Sequence, residues 1–391
     1  MQLTKIFRGF FHSEKTAGYI LIFVTVLSIL LANIFIGPSF PEFFHQKIGF
    51  ANNFIDLNLT VEHWINDGLM TIFFLMVGLE IERELYVGEL SSFKNALLPV
   101  LAAIGGMAIP ALIHYGFNAG LPTQSGFGIP MATDIAFALG ILALAGNKVP
   151  ASLKIFLTAL AIIDDLGAIT VIAIFYTADL SFTYLLSAFG IFAVLFLLGK
   201  MKVNNLLVYL LGGLIMWYCM LQSGVHATIA GVLLAFAIPF NRKDPENISY
   251  RLQHFLHTPV AFIILPIFAL ANTAILLPAD ILGSISTSNS LGIILGLLAG
   301  KTIGILGISF LATKVGWAKL PLHVSWKLLF GAAILAGIGF TMSIFITNLA
   351  FNDADVITNS KMSILLASLI AAIAGLTILR SCKKNIALEE H

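Results

Sequence analysis

Charge is what this sequence has least of. Asp, Glu, Lys and Arg make up only 10% of its 391 residues, where soluble domains carry ~25%. A soluble enzyme with so few charges could not cover its surface with polar groups. The sequence also lacks a block of one sign, and its formal net charge is +1, which excludes disorder and nucleic-acid binding. Cysteine is nearly absent. Cys219 and Cys382 cannot build a disulfide framework and read as free thiols. No His/Cys cluster has metal-ligand spacing. The apolar residues, by contrast, reach 59%, with 33 glycines besides. The chain reads as an all-α polytopic membrane protein with no soluble domain.

A membrane-crossing helix needs ~20 mostly apolar residues. Twelve such runs are predicted, at about 17–36, 61–80, 96–116, 126–146, 152–176, 180–198, 206–223, 225–239, 257–277, 291–311, 328–350 and 361–379. The eighth is short. Runs such as Ile155–Ile174 are too long and too uniformly apolar for barrel strands, which alternate over ~10 residues. The first run lacks a cleavage-like end and reads as a retained helix. Lys and Arg concentrate in cytoplasmic loops. With the N-terminus placed inside, 18 of the 21 basic residues fall on the cytoplasmic side. Lys47 and Lys361 fall outside, and Lys301 lies within a span. Both termini are therefore expected to be cytoplasmic.

Three acidic residues also stand within spans: Asp134, Asp164 and Asp165. Counted from Ser152 at ~1.5 Å per residue, Asp164 is roughly 18 Å along its helix. An intramembrane charge costs at least ~2.5–3.5 kcal/mol and marks a pathway or relay. A structural ion pair is the plainer explanation for one Asp with one Lys. Three carboxylates against Lys301 leave two to be protonated or to hold a cation. Neighbours on a helix point ~100° apart, so Asp164 and Asp165 cannot both face one partner. Lys301 is expected to pair with Asp164, with Asp165 or a half-helix end as the alternatives, since a sequence does not fix helix rotation. The donors at hand are carboxylates, the Thr133 and Thr158 hydroxyls and backbone carbonyls. These hard oxygens suit Na⁺, Li⁺ or H⁺. His226 reads as a helix-end histidine.

Span four is interrupted by Gly126, Gly128 and Pro130 before Thr133-Asp134. Span eleven carries Gly331, Gly337 and Gly339 before Phe340-Thr341-Met342-Ser343. Two interrupted segments in matching places are the signature of a transporter built on a repeat. The two spans run in opposite directions, and each is the middle of a triplet (three to five, ten to twelve). This placement predicts an inverted repeat with two broken, crossing helices. Unwound backbone needs protein or a wet cavity beside it. Asp134 could compensate a half-helix N-terminus and Lys301 a C-terminus.

The strings Ala132-Thr133-Asp134-Ile135-Ala136-Phe137-Ala138-Leu139-Gly140, Lys154-Ile155-Phe156-Leu157 and Ala161-Ile162-Ile163-Asp164-Asp165-Leu166-Gly167-Ala168-Ile169 are long and specific. So are Ser223-Gly224-Val225-His226-Ala227-Thr228 and Gly337-Ile338-Gly339-Phe340-Thr341-Met342-Ser343-Ile344-Phe345-Ile346. Together they closely resemble the NhaA-type sodium/proton antiporters of bacterial inner membranes, over nearly the whole chain. The resemblance implies electrogenic exchange of Na⁺ or Li⁺ for H⁺ by a single transporter domain over 1–391, with no cofactor and no enzymatic reaction. It implies a repeat core at about 96–176 and 291–379, and a homodimer with contact from an outer loop at about 37–60. Asp164 and Asp165 resemble the paired aspartates of the ion site, Asp134 with Thr133 the unwound-helix residues, and Lys301 the buried lysine. The expected sodium ligands are Asp164, Asp165, Asp134 and Thr133. The family senses pH at its cytoplasmic face, which Glu80, Arg83, Glu84, His254 and His257 resemble. The plainer reading of that cluster is a solvated charged edge. Gln253 departs from the pattern, which has Glu there.

Under this reading Na⁺ and H⁺ compete for one set of carboxylates. An aspartate titrating at its ordinary ~3.9 stays ionised at cytoplasmic pH. Exchange thus requires a site removed from water, where the charged form is disfavoured. Two rivals are a sodium-coupled symporter of an organic solute and an intramembrane aspartyl protease. The first needs a solute pocket that no polar cluster suggests. The second needs a Gly-x-Gly-Asp string, and Gly337-Ile338-Gly339 is followed by Phe340.

Overall fold

Backbone in hydrocarbon has no water to bond, so each apolar run closes its hydrogen bonds within itself as a helix. The computed structural model describes residues 2–52, 56–177, 180–242, 244 and 247–382. Lys243, Lys383 and Lys384 of the charge count lie outside the described residues, as do the side chains of Lys5 and Arg8. Apart from short turns, the helices in chain order are α1 (Lys15–Phe35), α2 (Val61–Tyr86), α3 (Phe93–Asn118), α4 (Ile135–Leu144), α5 (Ala151–Phe175), α6 (Phe182–Lys200) and α7 (Leu206–Ser223). They continue with α8 (Ile229–Ala237), α9 (Ile248–Asn272), α10 (Ser288–Lys314), α11 (Trp326–Leu335), α12 (Phe340–Ala350) and α13 (Ala354–Arg380).

Among the described residues nine of these are long and apolar enough to cross a membrane alone. Two more spans are bent pairs. The 3₁₀ segment Pro122–Met131 meets α4 at 44°, and α11 meets α12 at 44°. Eleven of the twelve predicted spans therefore have a counterpart of crossing length. The eighth differs. Helix α8 has nine residues, about 14 Å of rise, which is too short to cross by itself. It starts late because Gly224 ends α7 in the left-handed region, at φ 82°, and the next four residues are not helical. His226 lies in that turn, where its Nε2 donates to the Tyr176 carbonyl at 2.7 Å.

The chain divides into two units. The first comprises Met1–Leu21, Glu89–Ala168 and Pro278–His391, and so holds spans three and four, span five as far as Ala168, and spans ten to twelve. Within it α3 and α10 approach closely, and a Cβ on Gly304 would overlap the Gly105 carbonyl. Glycine at both positions lets the two backbones touch. Ser325, Thr287 and Asp353 cap α11, α10 and α13 through backbone N–H groups. Within α10 the residues Gly296–Gly300 form a π turn directly before Lys301.

The second unit comprises Ile22–Gly88 and Ile169–Leu277. Here α2 packs on α8 through Gly231, whose missing Cβ leaves room for the Thr71 carbonyl. Trp64 stacks on Trp217 at 5.9 Å, and Trp217 Nε1 donates to the Asp67 carbonyl at 3.0 Å. The predicted outer loop holds a helix, Ser39–His45, and a short antiparallel hairpin. Its strands are β1 (Lys47–Ile48) and β2 (Leu59–Thr60), with Lys47 opposite Thr60.

The α3–α10 contact yields a test. Gly304→Val should destabilise the protein by roughly 1–3 kcal/mol, as overpacked cores do. Gly307→Ala on the same helix, where an added Cβ meets nothing within 4 Å, should be close to neutral. Thermal unfolding in detergent reads both. Equal effects would show that the backbone contact does not hold the helices together.

Candidate ion site at the broken spans

Two breaks in the helical backbone create the site, all of it within the first unit. One is Ala132–Asp134, between the Pro122–Met131 segment and α4. The other is the stretch from Ala336 to Gly339, between α11 and α12. A break strands N–H groups at one half-helix and carbonyls at the other. Asp134 answers the stranded donors. Its Oδ1 accepts from Phe137 N at 2.9 Å and so caps α4. Its Oδ2 accepts from Thr341 N at 3.2 Å, in the first turn of α12, and from the Thr341 hydroxyl. Its own N–H donates to the Ile338 carbonyl at 2.7 Å. One carboxylate therefore faces the partial positive ends of two half-helices. Nearby, Ser343 Oγ donates to the Ile129 carbonyl at 2.7 Å, and Phe137 packs edge-on to Phe340 at 5.4 Å.

Lys301 forms the second half of the site. It pairs with Asp164 Oδ2, and both side chains are fully buried. Its Nζ also donates to Thr133 Oγ1 at 2.9 Å. Thr133 has one hydroxyl proton to give. The acceptors in reach are the Ala336 carbonyl at 2.8 Å and Asp164 Oδ2 at 2.9 Å. Ala336 ends α11, so the lysine charge reaches a half-helix C-terminus through Thr133 as well as the carboxylate directly. The partner of Lys301 is Asp164, the one expected ahead of its two alternatives. Among the described residues Asp164 Oδ1 has no hydrogen-bond partner.

The structure thus gathers Thr133, Asp164 and Lys301, and holds Asp134 by Thr341. Asp165 follows on α5, 1% exposed. Among the described residues no three His, Cys, Asp or Glu side chains converge as a metal-binding group would. The four expected sodium ligands are therefore not drawn around one point in this arrangement, in which the ammonium occupies the Asp164 side. A carboxylate oxygen without a donor, a hydroxyl and nearby broken-helix carbonyls are nonetheless the hard oxygen set that suits a monovalent cation.

Thr341 was not singled out as a site residue from the sequence. Its string directly follows the Gly337–Gly339 break, which was the available signal. The second unit holds the other group. Arg83 Nη2 lies 3.0 Å from Glu84 Oε1 and 3.6 Å from Glu80 Oε1. His257 stands within electrostatic reach of His254 and Arg83, and the His254 ring stacks on Tyr250. Glu82, also not singled out, is buried and accepts from Ser249 Oγ at 3.2 Å, which ties α2 to α9.

A family model described as Na⁺/H⁺ antiporter 1 matches residues 8–379. A protein of Dechloromonas aromatica named Na(+)/H(+) antiporter NhaA is 58% identical over 388 residues, covering 98% of each chain. One of the same name from Cytophaga hutchinsonii is 57% identical, covering 98% of this chain and 97% of its own. Another from Flavobacterium psychrophilum is 56% identical, covering 100% of this chain and 99% of its own. At that coverage and identity, this polytopic helical membrane protein belongs to the Na⁺/H⁺ antiporter 1 family.

Proposed function

We propose that the protein is a sodium/proton antiporter working as one transporter over 1–391. It extrudes Na⁺, and Li⁺ as its smaller analogue, in exchange for entering protons. The observation that carries the reading is the buried Lys301–Asp164–Thr133 cluster at two broken helices, with one Asp164 oxygen uncommitted among the described residues. The names of the relatives support the same ion pair.

The mechanism is a competition. Without sodium, Lys301 neutralises Asp164, and Asp165 and Asp134 are left to hold protons or stay charged. For Na⁺ to bind, Asp164 must exchange its ammonium partner for the cation. Asp165, Asp134 and Thr133 then complete the oxygen set. Protons arriving at the opposite face occupy the same carboxylates and displace the ion. Only loaded forms cross, because a bare carboxylate cluster is costly to enclose. The two half-helix pairs, read as middles of an inverted repeat, are the elements that rock. Unequal charge moved per cycle makes the exchange electrogenic. The protein's place is a bacterial inner membrane, and the positive-inside pattern supports cytoplasmic termini at both ends. The Glu80–Arg83–Glu84 cluster with His254 and His257 would set the pH response. The outer segment at about 37–60, with its exposed Ile48 and Phe50, would join two copies as a homodimer.

Asp164→Asn and Asp165→Asn should each abolish Na⁺-dependent proton flux in proteoliposomes while the protein still inserts, since Asn keeps the volume but cannot ionise. Near-normal flux in either variant removes that residue from the site.

If one site serves both ions, the apparent Na⁺ constant should worsen by up to about tenfold per pH unit for each competing proton as the pH falls. A constant that stays level from about pH 8.5 to about 6.5 would mean separate sites.

Lys301→Ala strands Asp164 in the buried pair, a loss of typically ~3–5 kcal/mol. A marked drop in thermal midpoint is expected. Lys301→Arg, which keeps the charge but not its shape or hydration, should retain part of it. An unchanged midpoint in Lys301→Ala would mean the pair contributes nothing to stability.

A further inference from the structure

His114 has no part in the exchange cycle, yet it is enclosed by the helices that carry the ion site. It is 0% exposed and lies on α3, two turns beyond Gly106, whose missing Cβ faces Ile305 and the Lys301 stem. That is about 12 Å along the helix. Its Nε2 faces Asn289 Oδ1 at 3.0 Å. Asn289 Nδ2 donates to Ser360 Oγ at 2.8 Å, and Ser360 Oγ donates to the Val356 carbonyl at 2.7 Å. This run of donors fixes the amide, with nitrogen toward Ser360 and oxygen toward the ring. Nε2 therefore carries the hydrogen, and Nδ1 is a bare acceptor. Among the described residues Nδ1 has no hydrogen-bond partner.

The ring has little space. A Cβ on Gly126 would stand 3.1 Å from its Cε1 and Nε2, and one on Gly292 would stand 3.0 Å from Cδ2. Glycine at both positions lets backbone close over the imidazole. Asn118 ties the same turn down by donating to the His114 and Ser288 carbonyls at 2.9 and 3.2 Å. The surrounding charges are few. Pro122–Met131, the Ser288–Leu295 part of α10 and α12 contain no titratable residue. On α13, Asp353 at the cap and Asp355 in the first turn are exposed, and Lys361, 6% exposed, follows Ser360. On α3, Tyr115 turns outward and is 47% exposed.

We propose that His114 is a second proton-binding site, separate from the aspartates, whose occupation unfastens the bracket joining α3, α10 and α13. The proton adds to the Nδ1 lone pair, and no other bond is broken. The new N–H then needs an acceptor, and a buried donor without one is costly. The enclosing segments must shift to supply water or a carbonyl. One of them is Pro122–Met131, the first half of the broken span that ends in Thr133-Asp134. Proton uptake at His114 is thereby linked to the position of the backbone that holds Asp134, and the linkage is reciprocal.

The full-length protein in detergent tests this without any transport assay. His114→Gln keeps a side-chain N–H for Asn289 and cannot ionise. Between about pH 8 and about pH 5.5, spanning the ordinary histidine range, the wild type should lose at least about 2 °C more of its thermal midpoint than the variant. Equal loss overturns the proposal. Should the variant not fold, nitrogen NMR of imidazole-labelled wild type decides. An enclosed histidine holding only Nε2–H at neutral pH, which gains its second proton together with a backbone change, supports the site. One that is already doubly protonated, or that titrates with no structural response, overturns it.

Discussion

A helix broken inside hydrocarbon leaves backbone groups that only other protein atoms can satisfy, and the first unit depends on how it meets that demand. The breaks at Ala132–Asp134 and Gly337–Gly339 satisfy one another. Asp134 gives its N–H to one break and takes donors from the helix starts on both sides. Thr133 links the Ala336 carbonyl to the lysine. The groups expected to handle ions are thus the same groups that make unwound backbone tolerable. Chemistry and fold cannot be varied independently at these positions.

This coupling explains where charge resides. Lys301 and Asp164 are fully buried, where either alone would be far costlier than the pair. The second unit keeps its Glu80–Arg83–Glu84 cluster only partly buried, so solvent shares the cost of its charges. Burial depth thus separates a charge that needs a protein partner from charges that water also solvates.

Much of this was legible in the sequence. Eleven spans follow from apolar length alone, and the four intramembrane charges stand out because 90% of residues are uncharged. The breaks were legible through glycine, the second at Gly337–Gly339 itself and the first a few residues past its glycines. Gly126 and Gly128 lie in continuous 3₁₀ backbone, and the extended residues are Ala132–Asp134. Gly331 is a packing glycine against Leu379. The eighth run holds a helix that is shorter than the run, because hydropathy cannot see that Gly224 turns the chain and delays α8. The partner of Lys301 and the role of Thr341 depend on helix rotation, which a linear pattern does not encode. The hairpin β1–β2 was missed because two-residue strands leave no periodicity to read.

The π turn at Gly296–Gly300 has a consequence for how this chain can change over time. Such a turn holds one residue more than the α-helix around it. Removing a residue there would rotate the rest of α10 by about 100° and carry the lysine ammonium away from Asp164. Substitutions in the turn alter packing by degrees, whereas a deletion would separate the two halves of the ion pair in one step. In this stretch of the membrane, residue count is under stricter constraint than residue identity.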